Sequence, residues 1–192
     1  MAYTNPMIWA ALSGTFGVEK TSVGNPHPNA DGRLSIDLTG AVTPDPMLAD
    51  NYQFNMGSEP HSDVTSNVNA NGRLTGAASW MGFGLQPVVT MDAFKLGARF
   101  EFFQDKGFSR TGLGGVLGPQ PIIDPATGMV TGVSPAVAKK VSLWNVSITP
   151  GYMLGGGFMA RLEYRHDGVS EKVLWDGKKG QDSFSIGASY MF

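Results

Sequence analysis

The last ten residues of the chain constrain its fold more than any other segment. Between Ser183 and Phe192 every even position is apolar or aromatic, and the odd positions up to Ser189 are small or polar. Successive side chains of a β-strand point to opposite faces, so this alternation predicts a strand with one apolar face. A strand of about 9–11 residues can cross a membrane at a tilt. The segment is therefore either a membrane-crossing strand or the half-buried edge strand of an ordinary sheet.

The same alternation recurs along the whole chain and predicts eight strands. Each predicted strand places its apolar residues on even numbers. The fourth strand is the least regular, because Met81 and Phe83 fall on the face that carries its polar residues. The predicted strands are residues 7–19, 33–43, 51–57, 73–83, 94–103, 141–152, 158–166 and 183–192.

The connections between these segments alternate between long and short, and the longest spans residues 104–140. Bacterial outer-membrane barrels show this asymmetry, with short periplasmic turns and longer extracellular loops. The pattern predicts an all-β fold: a transmembrane antiparallel up-and-down β-barrel of about eight strands, forming one domain over residues 1–192. An even number of strands would leave both termini on the periplasmic side.

The composition of the two faces indicates which of them contacts lipid. In a soluble barrel the apolar face points inward and the outer face is rich in Lys and Glu. Here the polar face is mostly Ser, Thr, Asn and Gly. The aromatic residues of the apolar face lie mostly near strand ends, as interfacial girdles require. We therefore expect lipid outside and polar groups inside. These aromatic residues are Trp80, Trp144, Tyr152, Tyr164 and Tyr190.

Composition and motifs exclude several other classes of function. The net charge of −2 argues against a nucleic-acid partner. The absence of Cys excludes disulfides, thiolate metal sites and a Cys nucleophile. The three His are scattered and no metal-ligand spacing, nucleophile elbow or phosphate loop is present, so we expect no catalytic residues, metal or cofactor. The N-terminus lacks a secretory signal, which would make a membrane-embedded chain a mature form or a fragment.

Six charged residues of the fifth and seventh predicted strands are the candidate lining of the lumen. The Arg-x-Glu pattern puts both charges of each strand on one face. These strands run in the same direction if the sixth returns between them, so we expect opposite charges at matching depth to bond across the interior. Such a set is either an electrostatic filter for small polar solutes or a structural ion-pair plug. The six residues are Lys95, Arg99, Glu101, Arg161, Glu163 and Arg165.

The longest connection contains an apolar segment that resembles a small hairpin. Residues 121–131 surround an Asp124-Pro125-Ala126-Thr127-Gly128 turn. We expect this hairpin to fold over the mouth of the barrel. Packing on neighbouring loops and binding of a partner are the alternatives.

The second half of the chain resembles a known family. Leu96-Gly97-Ala98-Arg99-Phe100-Glu101 leads into Asp105-Lys106-Gly107, and Arg161-Leu162-Glu163-Tyr164-Arg165 forms a second such strand. Together with Gln181 and the terminal aromatic strand, this order resembles the C-terminal half of the OmpL-like putative β-barrel porin-2 family. The resemblance is most specific over residues 94–192. Tyr190 and Phe192 resemble the C-terminal membrane insertion signal of bacterial outer-membrane barrels.

The resemblance implies a porin of the Gram-negative outer membrane that transports small polar solutes by passive diffusion. The partners implied are the lipid bilayer and the barrel assembly machinery, with homo-oligomerisation left open. Because family members are generally longer, the chain is expected to be a C-terminal portion or a short relative. An eight-stranded barrel is just wide enough for side chains to fill it. The alternatives are therefore a filled barrel that acts structurally or through its loops, and an incomplete piece of a larger barrel.

Overall fold

The computed structural model describes residues 2–4, 7–19, 31–63, 65–66, 74–111, 113, 117–118, 120–134, 136–172 and 174–190. Within these residues, nine strands form one antiparallel sheet in which spatial order follows chain order, and two further strands form a separate hairpin. The sheet strands are β1 (Ala2–Thr4), β2 (Ile8–Glu19), β3 (Asp31–Asp45), β4 (Leu48–Glu59), β5 (Ala78–Met91), β6 (Phe94–Lys106), β9 (Lys140–Gly155), β10 (Phe158–Val169) and β11 (Gly180–Tyr190), and the hairpin strands are β7 (Pro121–Ile123) and β8 (Val130–Val133).

The all-β, up-and-down architecture predicted from the alternation is confirmed, since each of the eight predicted segments lies largely within one long strand. The strands are longer than predicted, most clearly β4, which has 12 residues. The short strand β1, which pairs with β2, was not predicted. Within the described residues no ladder joins β1 or β2 to β11, so the sheet is not closed. Met191 and Phe192 lie outside the described residues.

Turns of two residues join the strands at one end of the sheet, which we call the turn end. They are formed by Pro46–Met47, Asp92–Ala93 and Gly156–Gly157. Both glycines of the last turn have positive φ, 59° and 84°, as a tight hairpin with right-handed strand twist requires. The long connections all lie at the opposite end, which we call the loop end. The predicted alternation of connection lengths is confirmed, and these three short connections are shorter than the sequence suggested.

The phase predicted for the fourth strand is wrong. Residues 84–91 continue β5 to Met91, where a connection was expected. Phe83 pairs with Phe54 of β4 and with Phe102 of β6, which puts the odd-numbered residues of β5 on the apolar face. Trp80 consequently lies on the polar face and is not part of an outer aromatic girdle. The apolar residues around Pro87 obscured the alternation, and the β5–β6 ladder is itself interrupted there.

The apolar face is a broad exposed surface. Phe16, Ile148 and Ile186 are 74%, 48% and 85% exposed, and most large hydrophobic residues of this face are similarly open. On β6 the band runs from Phe94 to Phe102. At about 3.3 Å per residue and a tilt near 40°, its height is about 20 Å, comparable with the roughly 25 Å of a membrane barrel. A surface of this size needs an apolar environment, and lipid on this face is the arrangement that the sequence predicted.

Aromatic residues mark both edges of the band. The Tyr190 ring packs at a tilt against the Phe158 ring at the turn end, with ring centroids 5.0 Å apart. Towards the loop end, the Tyr164 hydroxyl donates to Asp182, and His166 Nδ1 lies 2.7 Å from the same carboxylate. No helix in the described part of the chain has the length and apolar composition needed to span a membrane.

The hairpin predicted in the longest connection is present as β7 and β8, but it does not fold over the sheet. Ile122, Ile123, Met129 and Val130 are all exposed. The Asp124 carboxylate accepts hydrogen bonds from the Ala126 N–H and the Thr127 hydroxyl, which lower its pKa and stabilise the turn. The preference for a hairpin that covers the mouth was therefore wrong; other parts of the same connection do so.

Candidate functional site on the polar face

The polar face is the second surface of the sheet. It carries the odd-numbered residues of β2 to β4, β6 and β9 to β11, and the even-numbered residues of β5. Five adjacent strands, β4, β5, β6, β9 and β10, line a single cavity of about 390 Å³ on this face. The sheet therefore curls around its polar face, and all six charged candidates lie on the concave side.

The antiparallel register places these charges in rows that run across β6, β9 and β10. We call each row of paired residues on neighbouring strands a rung. Lys95 and Arg161 both pair with Gly151 of β9, and this set is the cationic rung nearest the turn end. Arg99 and Arg165 both pair with Ser147, which forms an arginine rung further along the sheet.

An acidic rung follows the arginine rung. Glu101 and Asp167 both pair with Asn145, which is buried and donates a hydrogen bond to the Glu101 carboxylate. Glu163 lies between the two basic rungs and accepts a hydrogen bond of 3.3 Å from the Thr149 hydroxyl.

The expectation that opposite charges occupy the same depth is wrong. The strand directions were predicted correctly, but the register brings like charges to the same rung. The ion pairs instead run along the strands: Arg99 Nε lies 3.9 Å from Glu101, and Arg165 lies 2.6 Å from Asp167. Residues two apart on one strand share a face, so each arginine meets the acid of the next rung.

Small residues on the neighbouring strands make room for the long charged side chains. Four successive inward positions of β9 separate the charges of β6 from those of β10, and they are occupied by Asn145, Ser147, Thr149 and Gly151. On β11, a Cβ at Gly187 would lie 2.9 Å from Arg161 Nε. The arginine therefore lies over this glycine, and a larger residue there would displace it.

Two further cavities continue along the polar face. One of about 260 Å³ is lined by Asn51, Gln53 and Gln86 together with Arg99 and Glu101. Another of about 180 Å³ lies towards the turn end. Lys95, Arg99, Arg161 and Glu163 line this second cavity. All six predicted lumen residues thus line at least one of three neighbouring cavities.

A hydrophobic cluster that the sequence analysis missed covers the loop end of the polar face. Its buried members are Phe108, Leu117, Val141 and Val169, and Trp175 packs against them from the connection between β10 and β11. Val141 and Val169 occupy inward positions at the loop ends of β9 and β10, beyond the polar inward residues in the middle of these strands. Apolar residues at inward positions near strand ends were the signal available in the sequence.

Two aromatic residues of this mouth cluster have left-handed backbone conformations. Phe108 has φ 60° and Trp175 has φ 47°. Such a conformation is a true outlier for a bulky residue, and each one costs about 1–3 kcal/mol. Residues remain in such conformations only when the surrounding structure holds them, so packing of these two rings at the mouth compensates for the strain.

A buried carboxylate holds the start of the long connection against the sheet. Asp105 is fully buried, and its Oδ2 accepts from the Arg110 N–H at 2.8 Å, the Thr111 N–H at 2.7 Å and the Thr111 hydroxyl at 3.0 Å. The Arg110 guanidinium then stacks over Trp80 at 3.9 Å and pairs with Glu59 at 3.2 Å. These contacts fix the segment that carries Phe108.

Comparison with known proteins agrees with this architecture. No curated protein matches the chain closely enough to transfer a function. A family model described as "Putative beta-barrel porin-2, OmpL-like" matches residues 3–192, so the match is not confined to the C-terminal half where the sequence resemblance was most specific. The chain therefore belongs to this OmpL-like family of β-barrel porins.

Proposed function

We propose that the protein is a porin-like barrel of the bacterial outer membrane that lets small polar solutes diffuse passively across it. The observation that carries this proposal is the pairing of an exposed apolar band with a concave face lined by charged rungs. Charge inside a membrane is costly unless it is paired or hydrated. Only part of this charge is paired: within the described residues Lys95 and Arg161 have no carboxylate within 4.0 Å, which favours a hydrated lumen.

The same organisation supports a location and a route of assembly. Long loops at one end and two-residue turns at the other fit extracellular and periplasmic sides respectively. Tyr190, at the turn end of β11, fits an insertion signal that the barrel assembly machinery recognises in the membrane. Phe192, the other residue of this proposed signal, lies outside the described part of the chain.

A filled barrel is the second candidate, and the mouth cluster is the observation that favours it. Phe108, Leu117 and Trp175 pack over the loop end of the polar face. An eight-stranded barrel has little internal space to spare. In this alternative the rungs are structural and the protein acts through its exposed loops, including the β7–β8 hairpin.

Conductance measurements separate the two candidates. The purified protein is reconstituted into planar bilayers, and currents are recorded under a salt gradient. A pore gives discrete openings with a reproducible reversal potential. A correctly folded protein that stays silent, with sheet content verified by circular dichroism, would support the filled barrel and reject the pore.

A matched pair of variants tests whether current passes the charged rungs. Glu101→Gln and Asp182→Asn each remove one negative charge, but Glu101 lines two polar-face cavities while Asp182 lies on the outer face. Ions in a pore respond to charge along their path, so Glu101→Gln should shift the reversal potential towards anion selectivity. Asp182→Asn should leave it unchanged. Equal shifts in the two variants would contradict conduction along the polar face.

A further inference from the structure

Two lysines face each other on the outer surface of the sheet. Lys106 of β6 and Lys140 of β9 are direct cross-strand partners, and both are exposed. Their even numbers place them on the apolar face with Phe102 and Trp144. Like charges directly opposite each other destabilise a sheet. Within the described residues neither lysine has a carboxylate within 4.0 Å, so no described side chain compensates this charge.

The rung that contains these lysines is polar along its length. Ser79 of β5 pairs with Lys106, and Ser58 of β4 pairs with Ser79. Two hydroxyls and two ammonium groups thus share one rung on the outer face, and all four groups can donate hydrogen bonds to an anion. The rung lies four residues beyond Phe102, or about 13 Å along the strand, at the loop end of the apolar band.

An apolar groove begins directly beside this rung. It has a volume of about 370 Å³ and is lined by Leu34, Ile36, Phe54, Met56 and Met81. Gln104 and Lys106 form its polar rim. The groove therefore joins a hydrocarbon surface to a cationic, donor-rich edge.

We propose that Lys106 and Lys140 bind the phosphate of a phosphorylated lipid in the leaflet on the loop side, with an acyl chain of that lipid in the groove. Phosphate suits the rung because its oxygens accept several charge-assisted hydrogen bonds at once. A lipid suits the position because the rung is continuous with the apolar band, whereas a soluble anion would have no contact with the groove.

Native mass spectrometry of the full chain in neutral detergent tests the proposal. Diphosphoryl lipid A and its enzymatically dephosphorylated form are titrated separately in the presence of a chelator. A basic residue near an anionic lipid contributes about 1 kcal/mol, which is about five-fold in affinity for each lysine. Lys106→Gln and Lys140→Gln should therefore each weaken binding of diphosphoryl lipid A about five-fold, and the double variant about thirty-fold.

Lys172→Gln, in the connection between β10 and β11, is the matched control and should bind both lipids as the parent does. Inorganic phosphate should fail to displace the lipid, because the acyl chain contributes to binding. The proposal is overturned if the parent binds the two lipids equally, if the double variant keeps the parent affinity, or if inorganic phosphate competes.

This proposal depends on the outward direction of the apolar face and not on an open lumen. The double variant should conduct as the parent does in planar bilayers. A silent parent that still distinguishes the two lipids would reject the pore and leave the lipid site standing.

Discussion

Removal of the Asp105 carboxylate should release the connection that covers the loop end of the polar face. The side chain is fully buried, and one of its oxygens accepts three hydrogen bonds, two of them from backbone N–H groups. Hydrogen bonds to a charged group contribute about 1.5–3 kcal/mol each. Because the freed donors can partly rehydrate when the segment detaches, we expect Asp105→Ala to lower the free energy of unfolding by about 3–5 kcal/mol.

Two companion variants divide this loss into its parts. Asp105→Asn keeps an acceptor but removes the charge, and should cost about 1–2 kcal/mol. Thr111→Val removes only the hydroxyl donor and should cost about 1 kcal/mol. Glu171→Gln is the control, since the described residues provide Glu171 with no hydrogen-bond or ion-pair partner.

Equilibrium urea unfolding in lipid vesicles measures the free energy, and hydrogen exchange measures protection of the segment after β6. Asp105→Ala should also reduce protection around Phe108, because this residue is adjacent to the turn that the carboxylate holds. A loss below about 1 kcal/mol with unchanged protection would refute the reasoning, since it would mean that the three hydrogen bonds contribute no more than those of an exposed group.

Four further outcomes follow from the same structure. A spin label at position 83 should be accessible to a lipid-soluble relaxation agent in vesicles, and a label at position 80 should be protected, because Phe83 lies on the apolar face and Trp80 on the polar face. The reverse result would show that the even-numbered residues of β5 face lipid, as the sequence suggested. Gly57→Ala should destabilise the protein by about 1–3 kcal/mol in urea, because the new Cβ would lie 2.2 Å from the Trp80 ring, and an unchanged midpoint would contradict that packing. Glu163→Gln should shift the reversal potential towards anion selectivity and lower the free energy of unfolding by less than about 1 kcal/mol, because the carboxylate has one long hydrogen bond and lines a cavity. A loss of about 3 kcal/mol or more would instead indicate a buried ion-pair plug. Trp175→Ala should increase single-channel conductance by removing the ring that packs over the mouth, and an unchanged conductance would place the constriction elsewhere.

Features that depend on local alternation could be predicted from the amino-acid sequence. In the middle of β6 and β10, at residues 98–102 and 160–165, charged residues alternate with apolar ones, so the identity of both segments as strands, their faces and their shared direction were predicted correctly. The sequence also predicted a tight Gly-rich turn within residues 153–157, because neighbouring residues specify a tight hairpin, and the structure narrows it to Gly156–Gly157. The same holds for the β7–β8 hairpin, whose Asp124 turn is stabilised within four residues.

Features that depend on the pairing of distant segments could not be predicted in this way. The phase of β5 follows from the pairing of Phe83 with Phe54 and Phe102, and its own residues are apolar on both faces. The rungs follow from register, because a shift of one residue moves every side chain to the other face. That register set Arg99 level with Arg165, where the sequence suggested opposite charges. Phe108 and Trp175 join one hydrophobic cluster from connections far apart in the chain, so no local pattern could show that packing there compensates two strained backbones.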